Sequence, residues 1–178
     1  MESGKFKGFT LIELLIVIAI LGVLSVIVFI AIDPGERQAQ ARDTGRISSV
    51  TLLGHTVDAF YASRGGSFPT EGNWAQEIID SGEVASFQSG ITYTAYSVSN
   101  CTMFVQPAGD PTYCYDLDTV GPNGAIVFAR AESNSHNDKC SSPEVDYFVF
   151  STVDGRGGTI CNNGDATAWA VGTMTYVD

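Results

Sequence analysis

The sequence predicts an α+β protein in which a long N-terminal helix packs on an antiparallel β-sheet head. Three observations predict this fold. An uncharged apolar run extends from Leu14 to Ile32, and a helical periodicity of apolar residues follows it. The second half of the chain contains short β-branched and aromatic segments, separated by glycine, proline, asparagine and aspartate. The roughly 145 residues after the apolar run are enough to form one compact domain.

The apolar run has the length of a membrane-spanning helix. Its nineteen residues carry no charge, and Ser25 is the only polar one. As a helix they span about 28 Å, roughly the hydrocarbon thickness of a bilayer. A cleavable secretory signal is not expected, because the run exceeds the ~7–15 apolar residues of such a signal and no small-residue cleavage site follows it. Glu13 lies at the start of this apolar segment, where an ionisable side chain usually marks function.

The segment Lys7-Gly8-Phe9-Thr10-Leu11-Ile12-Glu13-Leu14-Leu15 resembles the class III signal of type IV prepilins. The resemblance extends to about Phe60, and its first nine residues are the specific part. It implies cleavage by a prepilin peptidase between Gly8 and Phe9, methylation of the new amine of Phe9, and the "lollipop" fold of pilins. Lys5 and Lys7 place the leader on the cytoplasmic side and the bulk of the chain outside.

Four regions are expected on this basis. Residues 1–8 form a cleaved leader, residues 9–32 a transmembrane and filament-core helix, residues 33–62 an amphipathic helix continuing into the head, and residues 63–178 an α+β head.

The resemblance also implies a role for Glu13, which would meet the N-terminal amine of a neighbouring subunit inside the filament. Cleavage after Gly8 creates a cation at Phe9. Two opposite charges that are each costly in apolar surroundings offset much of that cost when they pair. The alternative is that Glu13 reaches the lipid headgroups from near the helix end.

Gly22 and Pro34 are candidates for local melting of the N-terminal helix. Glycine lowers helix stability by about 1 kcal/mol relative to alanine, although Gly22 equally allows close helix approach. Many pilins have a proline inside the apolar run, whereas Pro34 follows it here. Pro34 either begins a second helix with Asp33 as its N-cap or kinks one continuous helix.

The remaining elements follow from periodicity and from turn residues. An amphipathic helix is expected to about Ala62, and Gly65-Gly66 ends it. Its apolar stripe is Ile47, Val50, Leu53, Val57 and Phe60, with Arg37, Arg42, Asp43 and Arg46 mostly elsewhere. A short helix from about Asn73 to Ser81 precedes Gly82, a plausible cap. Strands are expected near residues 91–98, 102–106, 113–118, 124–131, 145–152 and 166–177.

The charge of the chain argues against nucleic-acid binding. The formal net charge is −11, and loss of residues 1–8 leaves seven basic and nineteen acidic side chains, or −12. A broad nucleic-acid footprint needs clustered lysine and arginine, whereas the basic residues here do not cluster beyond one loose trio of arginines.

Four cysteines, all in the exported part, predict two disulfides. Three pairings are possible. Cys101–Cys114 and Cys140–Cys161 are favoured, because each pair brackets a predicted hairpin, one around residues 107–111 and one around residues 154–158. No C-x-x-C occurs, which argues against zinc.

Two loops rich in acidic and amide residues suggest calcium only weakly, because EF-hand spacing is absent. The first loop contains Glu132, Asn134, Asn137 and Asp138, and the second contains Asp154, Asn162, Asn163 and Asp165. Asp154 and Asp165 are the weak calcium candidates, and no metal or cofactor is expected. His55 is expected near the core side of its helix. Without a catalytic motif, the chain is not expected to be an enzyme.

The expected function is that of a type IV pilin, a structural subunit that polymerises into an extracellular filament. Its expected partners are other copies of itself, the prepilin peptidase, the pilus assembly platform with its ATPase, and the cytoplasmic membrane. It would be anchored in that membrane with its head outside, and after assembly it would lie in the filament. The alternatives are a pseudopilin of a type II secretion system, a minor pilin acting in adhesion or DNA uptake, and a plain anchored domain. The sequence does not distinguish between motility, attachment, DNA uptake and conduction as the role of the filament.

Overall fold

The computed structural model describes residues 8–95, 112–118, 124–163 and 174–177. Within these ranges the elements are α1 (Leu11–Ile32), α2 (Pro34–Ser63), a 3₁₀ turn (Glu71–Asn73), α3 (Trp74–Ser81), β1 (Thr92–Ala95), β2 (Thr112–Asp118), β3 (Gly124–Arg130), α4 (Asn134–Asn137), β4 (Val145–Ser151), β5 (Arg156–Asn162) and β6 (Tyr176–Val177). A long apolar helix, a second helix and a mostly antiparallel sheet confirm the predicted α+β class. The chain divides into two compact units, Met1–Gln38 and Ala39–Asp178.

The first unit contains α1 and the start of α2. The segment Leu11–Ile30 has a mean hydropathy of 3.1, so it is long and apolar enough to cross a membrane by length and composition. Asp33 interrupts the helix with a left-handed backbone (φ 43°), and Pro34 begins α2. Asp33 Oδ1 accepts a hydrogen bond from the Glu36 N–H at 3.3 Å. Two helices therefore meet at Asp33, and Pro34 occupies a first-turn position where its missing N–H costs nothing.

The second unit is built around a sheet with strand order β1-β2-β3-β4-β5-β6 among the described residues. The pairs from β2 to β6 are antiparallel, with Cys114 opposite Phe128 and Asp146 opposite Cys161. β1 runs parallel to β2, so the expectation of a wholly antiparallel sheet is wrong for this pair. A parallel pair needs a crossover connection rather than a tight hairpin.

Most of the expected strands have counterparts, but one strand was missed. A hairpin was predicted around residues 154–158, but no strand was assigned at β5, where Gly157-Gly158 interrupts the usual β-branched and aromatic signature. The strand expected at 102–106 lies outside the described residues, as does most of the one at 166–177, of which Tyr176–Val177 forms β6.

The main core lies between α2 and one face of the sheet. From α2 it receives Val50, Leu53, Val57 and Phe60, all buried. Ile47 is 39% exposed, so its assignment to the apolar stripe was wrong. The side chains that α3 and the sheet contribute to this core include Trp74, Ile78, Tyr113, Tyr115, Val127, Phe148 and Phe150.

The opposite face of the sheet carries a second cluster. It is formed by Cys114, Ile126, Phe128, Tyr147, Val149 and Ile160. Successive residues of a strand point to opposite faces, which explains why adjacent residues of β3 and β4 divide between the two clusters.

A disulfide joins Cys140, which follows α4, to Cys161 on β5, with a Cα–Cα distance of 5.4 Å. The β4–β5 hairpin lies between them and turns at residues 152–155. Cys114 is also disulfide-bonded. Cys101 and the hairpin expected around residues 107–111 lie outside the described residues.

Candidate functional site

The predicted processing site lies immediately before α1. Gly8, Phe9 and Thr10 are outside any regular element and exposed, and Phe9 is 84% exposed. A peptidase must bind its substrate in an accessible, non-helical conformation, because helical hydrogen bonds occupy the backbone groups that it reads. The local geometry around Gly8 and Phe9 meets that requirement.

Glu13 and Thr10 form a capping box at the start of α1. Glu13 Oε2 accepts hydrogen bonds from the Thr10 N–H at 2.8 Å and from the Thr10 hydroxyl at 2.7 Å. The Glu13 N–H in turn donates to Thr10 Oγ1 at 3.3 Å. A carboxylate at the N-terminus of a helix is also favoured by the helix dipole. Glu13 therefore has local partners within its own chain.

The two helix-melting candidates have different surroundings. α1 is continuous through Gly22, and a Cβ added at Gly22 would meet nothing within 4 Å. Three residues later, the Ser25 hydroxyl donates to the carbonyl of Leu21 at 2.7 Å. The interruption occurs instead at Asp33, directly before Pro34.

Of the two weak calcium candidates, only Asp154 lies in the described part of the chain. Asp154 Oδ2 accepts a hydrogen bond from the Tyr176 hydroxyl at 2.9 Å, and Asp165 lies outside the described residues. Among the described residues, no group of three or more histidine, cysteine or acidic side chains is placed to hold a metal ion.

A buried ionic cluster, which the sequence did not predict, fixes α2 to the loop after β3. Asp43 is fully buried and accepts hydrogen bonds from the backbone N–H groups of Glu132 at 2.9 Å and Ser133 at 2.8 Å. Arg46 is 8% exposed, and its Nη1 donates to Asp43 at 3.1 Å. The sequence places Asp43 and Arg46 mostly outside the apolar stripe, whereas both lie among the buried residues of α2.

Glu132 completes this cluster. Its carboxylate accepts from Arg46 Nη2 at 3.2 Å and from Arg42 Nε at 2.9 Å, and it also pairs with Arg42 Nη2. The hydrogen bond from Arg42 is the main reason that the pKa of Glu132 is lowered, while the same contact raises the pKa of Arg42. Glu132 therefore stabilises the fold, because its contacts with Arg42 and Arg46 attach the first acidic loop to α2.

The two histidines lie in separate environments. His55 is exposed on α2, although its ring packs edge-on against Phe150 at 4.8 Å, so its expected position near the core is only partly met. His136 Nδ1 lies 3.0 Å from Asp146 Oδ2, and burial raises the pKa of Asp146.

Comparison with known families bears on the N-terminal segment. The model of the prokaryotic N-terminal methylation motif matches residues 4–29, which include Gly8, Phe9 and Glu13. No curated protein and no solved structure matches the chain significantly. The match points to a structural, pilin-like protein. The chain thus carries a type IV pilin-like class III signal, the N-terminal signature of a pilin or pseudopilin precursor.

Proposed function

We propose that this protein is a type IV pilin, a subunit that polymerises into an extracellular filament after cleavage between Gly8 and Phe9. The observation that carries the proposal is the methylation motif at residues 4–29, which includes the processing site and most of the apolar helix α1. The large apolar side chains of that helix are about half or more exposed in the isolated chain. An apolar surface of this extent is unfavourable in water. A bilayer would remove it from water before assembly, and a bundle of identical helices would do so afterwards.

The proposed sequence of events starts in the membrane. α1 spans the cytoplasmic membrane with the head outside, and the prepilin peptidase removes residues 1–8. Phe9 then carries a new amine, which is methylated. An assembly platform powered by a cytoplasmic ATPase moves subunits from the bilayer into the filament, where residues 9–32 form the core.

Lipid and protein are both apolar, so this transfer gains little from the hydrophobic effect. Packing and charge pairing must therefore supply much of the driving force. A Glu13 carboxylate facing the Phe9 amine of a neighbouring subunit offsets the cost of two charges in apolar surroundings. Before that encounter, Thr10 supplies hydrogen bonds to Glu13 within the same chain.

The cleavage step is tested by the mass of the mature chain from native membranes. We expect a chain that starts at N-methylated Phe9. Gly8→Glu should abolish trimming, because a side chain at this position obstructs the peptidase cleft. The matched variant Gly4→Glu, four residues away in the leader, should be trimmed normally. A native chain that keeps Met1, or a trimmed Gly8→Glu variant, would contradict the processing site.

The assembly step is tested at Glu13. Glu13→Ala should be cleaved normally but should yield few filaments in sheared fractions, because the amine of each incoming subunit loses its counter-ion. Glu144→Ala removes a carboxylate from an exposed loop of the head and serves as the matched control. Wild-type filament yield from Glu13→Ala would refute the pairing.

A pseudopilin of a type II secretion system is the alternative, since the methylation motif fits both classes. Electron microscopy of sheared cells separates the two functions. Long surface fibres that react with antibody against the head support the pilin. A chain that is trimmed but found only beneath the outer membrane supports the pseudopilin.

A further inference from the structure

A cleft of about 540 Å³ lies in the second unit between the start of α3 and the segment from Ser86 to Ala95. One wall is formed by the 3₁₀ turn and the first turns of α3. The other is formed by the loop before β1 and by β1 itself, the first strand of the sheet. The volume lies within the range of small-ligand sites, roughly 300–1,000 Å³.

Three aromatic rings line the cleft. Trp74 is 1% exposed and stacks on Tyr115 with a centroid distance of 5.0 Å, so the sheet holds it in place. Phe87 and Tyr93 are half-buried, and their ring centroids lie 4.5 Å apart. The main chain of Gln88 hydrogen-bonds the Tyr93 side chain. The rings therefore form a supported apolar surface, which loses little conformational entropy when a ligand binds.

Amide side chains supply the polar part of the lining. Asn73, Gln76 and Gln88 each carry a carbonyl acceptor and two N–H donors. Gln76 Nε2 donates to Asp80 at 2.8 Å, which restrains that amide. The indole N–H of Trp74 is buried and has no hydrogen-bond partner within the described part of the chain. This atom has almost no accessible surface, so Trp74 contributes its ring to the wall of the cleft and does not offer this donor to a ligand.

The described residues that line the cleft include no charged side chain, although the whole chain has a net charge of −11. An anionic ligand or a nucleic acid would find no cation to bind. A metal ion would find no carboxylate among the lining residues. A wholly apolar ligand would shield the exposed amides of Asn73, Gln76 and Gln88 from water without replacing the lost hydrogen bonds, which costs free energy. The remaining class is a neutral ligand with both an apolar face and many hydroxyl groups.

We propose that this cleft binds a neutral saccharide. The apolar C–H face of a sugar ring packs on Phe87 and Tyr93, while its hydroxyl groups exchange hydrogen bonds with Asn73, Gln76 and Gln88. The site belongs to the head and does not depend on whether the chain forms a filament. Its failure is therefore distinguishable from failure of the proposed function.

The test uses the mature full-length chain in detergent micelles. Maltose, cellobiose, lactose and N,N′-diacetylchitobiose are titrated by saturation-transfer NMR and calorimetry, with sialyllactose and digalacturonic acid as charged counterparts. We expect at least one neutral disaccharide to bind. Gln88→Ala and Asn73→Ala should each weaken that binding about tenfold, as the loss of one good hydrogen bond does. Gln38→Ala, an exposed amide in the other unit, should leave binding unchanged.

Three results would overturn the proposal. They are no binding of any neutral disaccharide at millimolar concentration, stronger binding of the charged sugars, and binding that survives both cleft substitutions. Folding of each variant is checked by circular dichroism, and Tyr93→Phe, which keeps the ring, provides a second variant with an intact apolar surface. Retention on amylose, cellulose or chitin resin, compared with binding of the free disaccharide, separates a polymeric glycan from a small sugar as the ligand.

Discussion

Gly54 allows α2 to lie close to the sheet, since a Cβ at this position would come within 2.1 Å of the Phe150 ring. Phe150 is 1% exposed and cannot move without disturbing the core. We therefore expect Gly54→Ala to lower the free energy of unfolding by about 2 kcal/mol, as overpacked cores do. Thermal and urea unfolding followed by circular dichroism measure this change.

Gly45 on the same helix is the matched control. It is exposed, and an added Cβ would meet nothing within 4 Å. Gly45→Ala should stabilise the protein by about 0.5–1 kcal/mol, because alanine restricts the unfolded chain more than glycine does. Equal effects of the two substitutions would show that α2 and the sheet are not in such close contact.

Asp43 illustrates why sequence reasoning failed for some single residues. Its partners are the backbone N–H groups of Glu132 and Ser133, about ninety positions away in the chain. Periodicity reports which face of a helix is apolar, but it cannot report that a distant loop offers donors to a carboxylate. Ile47 lies at the edge of the buried face of α2: it is 39% exposed, whereas Arg46 and Val50 on either side of it are buried. By contrast, Glu13 could be singled out because its significance depends on adjacent residues.

At the scale of elements, the ion pairs of Glu132 connect α2 to the loop after β3. Arg42 and Arg46 lower the pKa of Glu132 below its usual value of 4.5. Because the pKa is lower in the folded than in the unfolded state, the carboxylate stabilises the fold at pH values above its unfolded-state pKa. This stabilisation is lost as the pH falls through its folded-state pKa. Glu132→Gln should therefore destabilise the protein at pH 7, and the difference from wild type should shrink below about pH 4.5.

Urea unfolding of wild type and variant over a range of pH measures this difference. Burial raises the pKa of Asp146, so this residue lowers stability as the pH rises, which is opposite to the effect of Glu132. Both proteins retain Asp146, and its effect therefore cancels in the comparison. Glu144→Gln changes an exposed loop carboxyl and should show little difference from wild type at any pH. A difference between wild type and Glu132→Gln that persists unchanged at pH 3 would contradict the ionic basis of the connection.

Elements with a strong local pattern could be predicted from the sequence. The second helix was expected to end near Ala62 and ends at Ser63, and the short helix expected at 73–81 is α3, capped by Gly82 in a left-handed conformation. β5 was not predicted because glycine has a low strand propensity. In the structure its glycines allow close packing. A Cβ at Gly158 would lie 2.4 Å from the Tyr176 ring, a contact that depends on β6. The parallel pairing of β1 with β2 likewise has no local signature.

At the scale of the whole molecule, the two units differ in the chemistry of their surfaces. The first contains α1, with a mean hydropathy of 3.1 over Leu11–Ile30, and the second contains most of the acidic residues of a chain with a net charge of −11. An acidic surface keeps heads apart by repulsion, which limits association to the apolar helices. Within a filament, the same repulsion would oppose close contact of neighbouring heads and would weaken as salt shortens the Debye length to about 8 Å at physiological ionic strength.

This charge predicts how the dispersed protein responds to pH. The sequence pI is about 4.4, so self-association in nonionic detergent should be greatest near that pH and least near neutrality. The exposed residues Asp138 and Glu144 allow a direct test by light scattering. Asp138→Asn with Glu144→Gln removes two acids and should move the maximum of scattering to higher pH. Asp138→Glu with Glu144→Asp keeps the charge and should leave it in place. If both double variants scatter like wild type, contacts other than charge repulsion govern association, whereas a shift in the first alone identifies the acidic head as the element that keeps copies apart.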